Sequence, residues 1–245
     1  MRLFSGLPPT FPYAASTHIN TMNDIEIINF ATTPSLVSRY MRELRDVNIQ
    51  NDPMRFRNNL YRIGEIMAYE ISKRLDYTQE KVQTPLGFAM CHQFVDKIVL
   101  GTILRAGLPF HHGFLNFFDK AENAFVSAYR RYKESSDKFD VLVEYMASPD
   151  INGKTLILID PMLATGSSME LGYKALLKKG TPSRIHIATT IASRQAVEYI
   201  CRTFPGGITT LWAGAIDPEI NAHSYIVPGL GDAGDLSFGV KDDTK

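Results

Sequence analysis

Cysteine is nearly missing: the 245-residue chain has two, Cys91 and Cys201. That is too few for a disulfide scaffold or a cysteine-rich zinc module, so reduced thiols are expected. Neither sign of charge is in excess, with 26 Lys and Arg against 26 Asp and Glu. A general nucleic-acid or membrane-surface binder normally carries a basic surplus, so both partners are set aside; a local basic pocket for a small anion is not excluded. No apolar run reaches the roughly 18 residues that a membrane helix needs. The opening stretch, MRLFSGLPPTFPYAAS, lacks a compact apolar segment behind its single Arg2, which argues against a secretory leader. His111 and His112 have no third ligand at useful spacing, so no protein-held metal is expected. Internal repeats and low-complexity tracts are absent, and no linker interrupts 30–239. The expectation is a soluble, cytoplasmic, globular protein, and its 44% hydrophobic content is enough to bury a core.

Residues 1–21 hold three prolines and little periodicity and read as an irregular arm, with 22–245 as one α/β domain. Helical spacing begins after Pro34, where Leu36, Tyr40 and Leu44 recur every fourth residue. Asp52-Pro53 then pairs a cap with proline at the first helical position, and Phe56, Leu60, Ile63, Met67 and Ile71 continue one apolar face. A loop holding Thr84-Pro85-Leu86-Gly87 follows. Lys97–Leu104 reads as a buried strand ending in a tight Arg105-Ala106-Gly107 turn, and Ala124–Met146 as an inserted β-hairpin with a polar tip. Thereafter strand and helix alternate: Thr155–Ile159, Ser168–Lys179, Arg184–Ile191, Arg194–Thr203 and Ile208–Ala213. Such alternation predicts a central parallel sheet flanked by helices.

Ligands of open α/β sheets sit at the carboxyl ends of strands, so the loops starting at Leu104, Asp160 and Ala213 are the ones to inspect. The most informative segment is LILIDPMLATGSSM, residues 156–169. Asp160 emerges from a buried strand, and Ala164-Thr165-Gly166-Ser167-Ser168 opens a helix. Small and hydroxylated residues there turn successive N–H groups toward a concavity at a helix N-terminus, which is a phosphate cradle. A lone Thr-Gly-Ser is more often an ordinary strand–helix turn; the preceding buried strand and Asp-Pro favour the cradle. A triphosphatase loop is excluded, because no Gly-Lys-Ser/Thr follows. Asp160 cannot attract a phosphate and is better suited to accept hydrogen bonds from sugar hydroxyls. Near the end of the chain, Pro228, Gly229, Gly231 and Gly234 demand an irregular backbone that approaches something closely. Arg105 and Arg130 are the candidate cations for an anionic group, with a salt bridge and a solvated face as their respective rivals.

Residues 156–169 resemble the ribose-phosphate fingerprint of the type I phosphoribosyltransferases, in the Asp-Pro-Met-Leu-Ala-Thr-Gly form of the uracil phosphoribosyltransferases. Ile103–Gly107 (ILRAG) resembles that family's pyrophosphate loop, Gln83–Gly87 (QTPLG) its Glu-Thr-Pro-Leu-Gly, and Tyr225–Gly239 (YIVPGLGDAGDLSFG) its uracil-binding signature. The likeness runs over about residues 34–239 and includes Arg45-Asp46 and Ala68-Tyr69-Glu70. It implies a type I phosphoribosyltransferase fold and transfer of a phosphoribosyl group from 5-phosphoribosyl diphosphate (PRPP) to uracil, giving UMP and diphosphate in UMP salvage. PRPP contacts are implied for Arg105, Arg130, Asp160, Pro161, Met162, Leu163, Ala164, Thr165, Gly166, Ser167, Ser168 and Asp232. Uracil contacts are implied for Ile226, Gly231, Asp232 and Ala233. Asp160, Arg105 and Asp232 would carry catalysis; whether Asp232 works through Mg²⁺-bound water or on the uracil side stays open. Mg²⁺ would be held mainly by the substrate diphosphate. The resemblance further implies a homodimer or homotetramer, with GTP as an effector to test.

The sequence departs from the family pattern at Ser167 (Gly), Leu236 (Arg), Arg131 (Asp) and Gln83 (Glu), and in Pro109-Phe110-His111-His112. Three rival readings are an RNA-binding regulator on the same fold, a non-catalytic assembly subunit and an enzyme for another base. The balanced charge speaks against the first, and retention of Asp160, Arg105 and the Thr-Gly-Ser turn against the second. The Gly-Leu-Gly-Asp-Ala-Gly run speaks against the third.

Overall fold

The structure is a computed structural model that describes residues 23–241 except Glu134 and Ser135, with side chains left out between 128 and 143. The expected arm 1–21, the hairpin tip and the side chains of Arg130 and Arg131 lie outside the described residues. In chain order the main elements are β1 (Glu26–Asn29), α1 (Leu36–Arg45), α2 (Pro53–Ser72), β2 (Tyr77–Thr84), β3 (Gly87–Phe94) and β4 (Ile98–Leu104). Next come α3 (Gly107–Leu115), β5 (Glu122–Lys133), β6 (Ser136–Ala147), β7 (Thr155–Ile159), β8 (Met162–Leu163) and α4 (Ser167–Leu176). The remainder are β9 (Arg184–Ser193), α5 (Arg194–Thr203), β10 (Thr209–Asp217), β11 (Glu219–Ile220), β12 (Ile226–Val227) and α6 (Ala233–Phe238).

Local chemistry sets the helix starts. Asp52 accepts the N–H groups of Met54 and Arg55 at 3.0 and 3.1 Å, with Pro53 behind it needing no N–H partner. A cap of this kind is worth about 1 kcal/mol. Ser35 and Ser38 close a capping box on α1. The two helices are pinned together by Glu43, which accepts from Arg55 and, at 2.8 Å, from buried Asn59.

The sheet has the order β1-β10-β9-β7-β4-β5-β6, with β8 beside β9, and every pairing in it is parallel except β5 with β6. Side chains of β7 divide by parity. Ile157 and Ile159 pack with Leu44, Phe56, Leu60, Phe110 and Phe114 of α1–α3, while Leu156 and Leu158 pack with Met169, Leu176, Val197 and Ile200 of α4 and α5. The helix after β4 and the helix after β7 therefore leave the sheet on opposite faces. Between these adjacent strands lies the switch-point crevice of a doubly wound sheet.

Four features differ from the sequence reading. The loop expected around residues 84–87 is the two-residue turn of a β2–β3 hairpin that stands clear of the sheet, with both faces mostly exposed. The turn after Leu104 continues directly into α3. Strand β10 runs four residues past Ala213, to Asp217, and β1 adds an edge strand.

Candidate active site

The segment after β7 builds a concavity. The N–H of Asp160 remains in the sheet, donating to Ala188 O at 3.1 Å, and its Oδ1 accepts the Met162 N–H at 3.2 Å. Pro161 O takes bonds from Thr190 Oγ1 (2.6 Å) and Ile191 N–H (3.1 Å), and Ser193 Oγ donates to Ala164 O at 2.5 Å. Met162 and Leu163 form β8 against Ile191 and Ala192, and the Leu163 side chain is buried. The loop is thus fixed from below by β9. Its upper surface, from Asp160 through Ala164, Thr165, Gly166 and Ser168, lines a small concavity at the N-terminus of α4. Gly166 sits at φ +84°, where a Cβ would be strained and would stand 2.8 Å from the Tyr199 ring. Thr165 and Ser167 face each other with Oγ atoms 2.8 Å apart. Clustered N–H and O–H donors at a helix N-terminus suit a phosphate.

Arg105 stands at the end of β4, directly beside this cradle in the sheet. Close packing fixes its loop: a Cβ on Gly107 would fall 2.2 Å from Thr102 Oγ1, which itself donates to Ile159 O of β7 at 3.3 Å. The Leu104–Arg105 peptide is cis. The guanidinium turns toward the C-terminal segment, where Nη2 donates to Asp235 Oδ1 at 3.0 Å and Nη1 to Gly239 O at 3.3 Å.

That C-terminal segment is the third part of the site. β12 pairs antiparallel with β11 and runs into a cis Val227–Pro228 bond and Gly229 at φ +64°. A Cβ on Gly229 would lie 2.0 Å from Ile226 O, so only glycine closes this turn. The Ile226 side chain is buried in the core, and its backbone pairs with Ile220 of β11. Asp232 caps α6 by accepting the N–H groups of Gly234 (2.8 Å) and Asp235 (3.0 Å) through Oδ1. The N–H of buried Ala233 points at Met162 Sδ, 3.2 Å away, which joins this loop to the cradle. Of the residues singled out in sequence, Asp160–Ser168, Arg105, Ile226 and Gly231–Ala233 therefore belong to one contiguous region; the side chain of Arg130 lies outside the described residues. His111 is wholly buried in α3 and His112 is exposed on it.

Sequence reasoning missed what holds the C-terminal loop. Asp217, at the true end of β10, accepts Arg45 Nη1 at 2.7 Å, Arg45 Nη2 at 2.8 Å and the Gly229 N–H at 2.8 Å, and Arg45 also donates to Gly229 O at 3.1 Å. Burial pushes the Asp217 carboxyl pKa up, but the bonds from Arg45 and Gly229 outweigh it and leave it below the usual carboxylate value. Gln50 donates to Leu230 O at 3.1 Å and Arg57 to Ser237 O at 2.6 Å. The N-terminal helices thus grip the C-terminal loop. Arg45 was visible only as half of Arg45-Asp46, whereas its partner is 172 residues away.

Strand order, cradle and guanidinium loop together define the type I phosphoribosyltransferase class. Within it, the family model for uracil phosphoribosyltransferase matches residues 31–240. A Porphyromonas gingivalis protein named uracil phosphoribosyltransferase is 62% identical over 217 residues, covering 89% of this chain and 100% of that one. One of the same name from Methanothermobacter thermautotrophicus is 40% identical over 190 residues, covering 77% and 85%. The solved structure of the AQ2163 protein from Aquifex aeolicus has a TM-score of 0.77 at 28% identity and covers 88% of this chain and 99% of its own. The chain belongs to the uracil phosphoribosyltransferase family.

Proposed function

We propose that the chain is a cytoplasmic enzyme that converts uracil and PRPP to UMP and diphosphate in pyrimidine salvage. The observation that carries the reading is the junction of three loops: the cradle after β7, the Arg105 loop after β4 and the base loop linked to both. In this scheme the donors of 164–168 hold the 5′-phosphate, Pro161–Leu163 fix that loop, and Asp160 orients the ribose hydroxyls. Arg105 and Arg130 bind the diphosphate. The backbone of Ile226 and of Gly231–Ala233 reads the acceptor–donor–acceptor edge of uracil, and a cytosine amino group would leave those groups unpaired. The C1′–oxygen bond to diphosphate breaks through an oxocarbenium-like state, the uracil N1–C1′ bond forms, and the N1 proton passes to the departing diphosphate or to water. No protein nucleophile is required, so catalysis rests on positioning and on stabilising the departing charge.

The implied cofactor is Mg²⁺. No cluster of three His, Cys, Asp or Glu side chains capable of caging a metal occurs among the described residues. Mg²⁺ would be held mainly by the substrate phosphates and water beside the cradle that Asp160 lines, where it would offset the diphosphate charge. The proposed assembly is a homo-oligomer. An isolated two-stranded hairpin is marginal in water, and β2–β3 displays Val82, Phe88 and Met90 exposed and Leu86 at 100% exposure. GTP is the proposed effector.

The test is a product assay with Mg²⁺ and PRPP and, separately, uracil, cytosine, orotate and hypoxanthine, with and without GTP. UMP from uracil alone is expected. Product from another base would refute the base-loop assignment and leave the cradle standing; no product would refute the enzyme reading. Light scattering of the same sample should give a mass at least twice that of the monomer.

A further inference from the structure

Arg105 is the cation that the proposed reading assigns to the diphosphate, yet its fork already has a partner. Nη2 meets a single oxygen of Asp235 at 3.0 Å, and Nη1 meets the carbonyl of Gly239 at 3.3 Å. Nε is buried and has no hydrogen-bond partner. A Cβ on Gly234 would lie 3.5 Å from Nη2 and 4.0 Å from Nε, so the guanidinium rests along the first turn of α6. The two side chains are 37% and 30% exposed. An ion pair this open contributes little to stability, and a carboxylate bound through one oxygen leaves the fork half used.

We infer that Asp235 is a positioning residue acting through Arg105: it holds the guanidinium against α6 until a diphosphate-bearing substrate takes its place. The inference rests on the reading of Arg105 as the diphosphate cation. A diphosphate brings more charge and can offer two oxygens to one fork, including one for the orphaned Nε, so the exchange runs toward substrate. Asp235 and the substrate then compete for one donor set. Because Asp235 belongs to α6, substrate arrival also releases one tether of the base loop while those from Arg45, Gln50 and Arg57 remain.

The experiment is calorimetric titration of inorganic diphosphate with Mg²⁺ into the full chain, as wild type, Asp235→Asn, Arg105→Gln and the double variant. Arg105→Gln should weaken binding about tenfold or more, which is about 1.4 kcal/mol. Asp235→Asn should tighten it about three- to tenfold, and the gain should vanish in the Arg105→Gln background. Asp235→Glu, which keeps the competing charge, should stay near wild type. Unchanged or weaker binding by Asp235→Asn overturns the inference, as would a gain that survives without Arg105, because that gain would be direct repulsion between carboxylate and anion. If Arg105→Gln binds diphosphate like wild type, the reading of Arg105 falls and takes this inference with it. If Arg105→Gln weakens binding but Asp235→Asn does not tighten it, only this inference falls. Should Asp235→Asn fail to fold, Asp235→Ser removes the same charge and answers the same question.

Discussion

Arg45 meets Asp217 through two bonds of 2.7 and 2.8 Å with side chains 26% and 8% exposed, whereas Arg105 meets Asp235 through one bond of 3.0 Å at 37% and 30%. The first pair also encloses the Gly229 peptide, taking its N–H on the carboxylate and its C=O on the guanidinium. Both terminal nitrogens of Arg45 have fixed acceptors, and the Asp217 carboxylate is nearly closed to water. The second pair leaves Nε unpartnered and stays open to solvent. The same two residue types thus form a closed pair at one end of the C-terminal loop and an open one at the other. Burial and bond count, rather than residue identity, decide which.

Asp217→Ala should break the closed pair with the largest effect of any change considered. It strands a partly buried guanidinium and the buried Gly229 N–H, and leaving each unpaired costs about 1–3 kcal/mol. For a chain of this size that lowers the melting temperature by on the order of 10 °C. KM for uracil should rise more than KM for PRPP, because the turn at Gly229 shapes the base loop and leaves the cradle alone. A melting temperature within about 2 °C of wild type would remove the distinction between the two pairs.

Burial should act with the opposite sign on the histidines. His111 is wholly enclosed, with the Asn123 side chain as its polar neighbour partly offsetting the loss of water, and His186 is buried with only Nδ1 engaged, accepting from Trp212 at 3.2 Å. Loss of solvent pushes each pKa down from 6.5 to about 4. The unfolded chain therefore binds more protons between those values. Stability is complete above about pH 6.5 and falls as the pH drops toward 4, by about 3 kcal/mol for each ring. Asp217 adds its own loss lower down, as the pH falls below the usual carboxylate range and then through its lowered pKa. Urea midpoints measured from pH 7 to 4 should show this slope, and His111→Phe should flatten part of it, whatever the larger ring costs at pH 7. An unchanged slope in His111→Phe would place the acid sensitivity elsewhere.

This contrast between the pairs was closed to sequence reading for a physical reason. Local signals are carried by neighbours in the chain: Asp52-Pro53 announces α2, and a buried strand leading into Asp160 and Thr165-Gly166-Ser167 announces the cradle. An ion pair between Arg45 and Asp217 has no local trace. Strand β10 also looked complete at Ala213, so Asp217 seemed to lie outside it. Hairpin β2–β3 escaped because both its faces are mostly exposed, so that residues such as Thr78, Gln79, Glu80 and Lys81 show no apolar alternation. Helix α3 was masked by Gly107 and Pro109 in its first turn, although proline is tolerated at that end. Asp235 stood inside a motif read for its glycines and for Asp232, and its role depends on where the Arg105 side chain turns.

Arg105→Gln should invert the Asp217→Ala result. Removing one half-exposed partner costs the fold no more than about 1 kcal/mol, so the melting temperature should move by only about 2–4 °C. Loss of a charge-assisted contact to diphosphate should instead raise KM for PRPP by about tenfold or more. Together the two variants form a double dissociation between stability and binding. A large stability loss in Arg105→Gln would mean that its pair with Asp235 holds the fold as the Arg45 pair does.

The smallest expected effect is at Ser167, where an Oγ–Oγ contact of 2.8 Å to Thr165 matches the Arg45 bonds in length but joins neutral groups at the cradle surface. Ser167→Gly deletes that contact and adds backbone freedom at the first turn of α4, for a combined cost below about 1.5 kcal/mol. The backbone of the loop stays in place, because Gly166 and the β8–β9 pairing set its path. KM for PRPP should therefore rise by no more than about threefold, a difference of about 0.6 kcal/mol. A rise above about tenfold would show that the hydroxyl itself grips the phosphate. In that case bond length would count for less than position, and the ranking of contacts by burial would hold for the paired arginines alone.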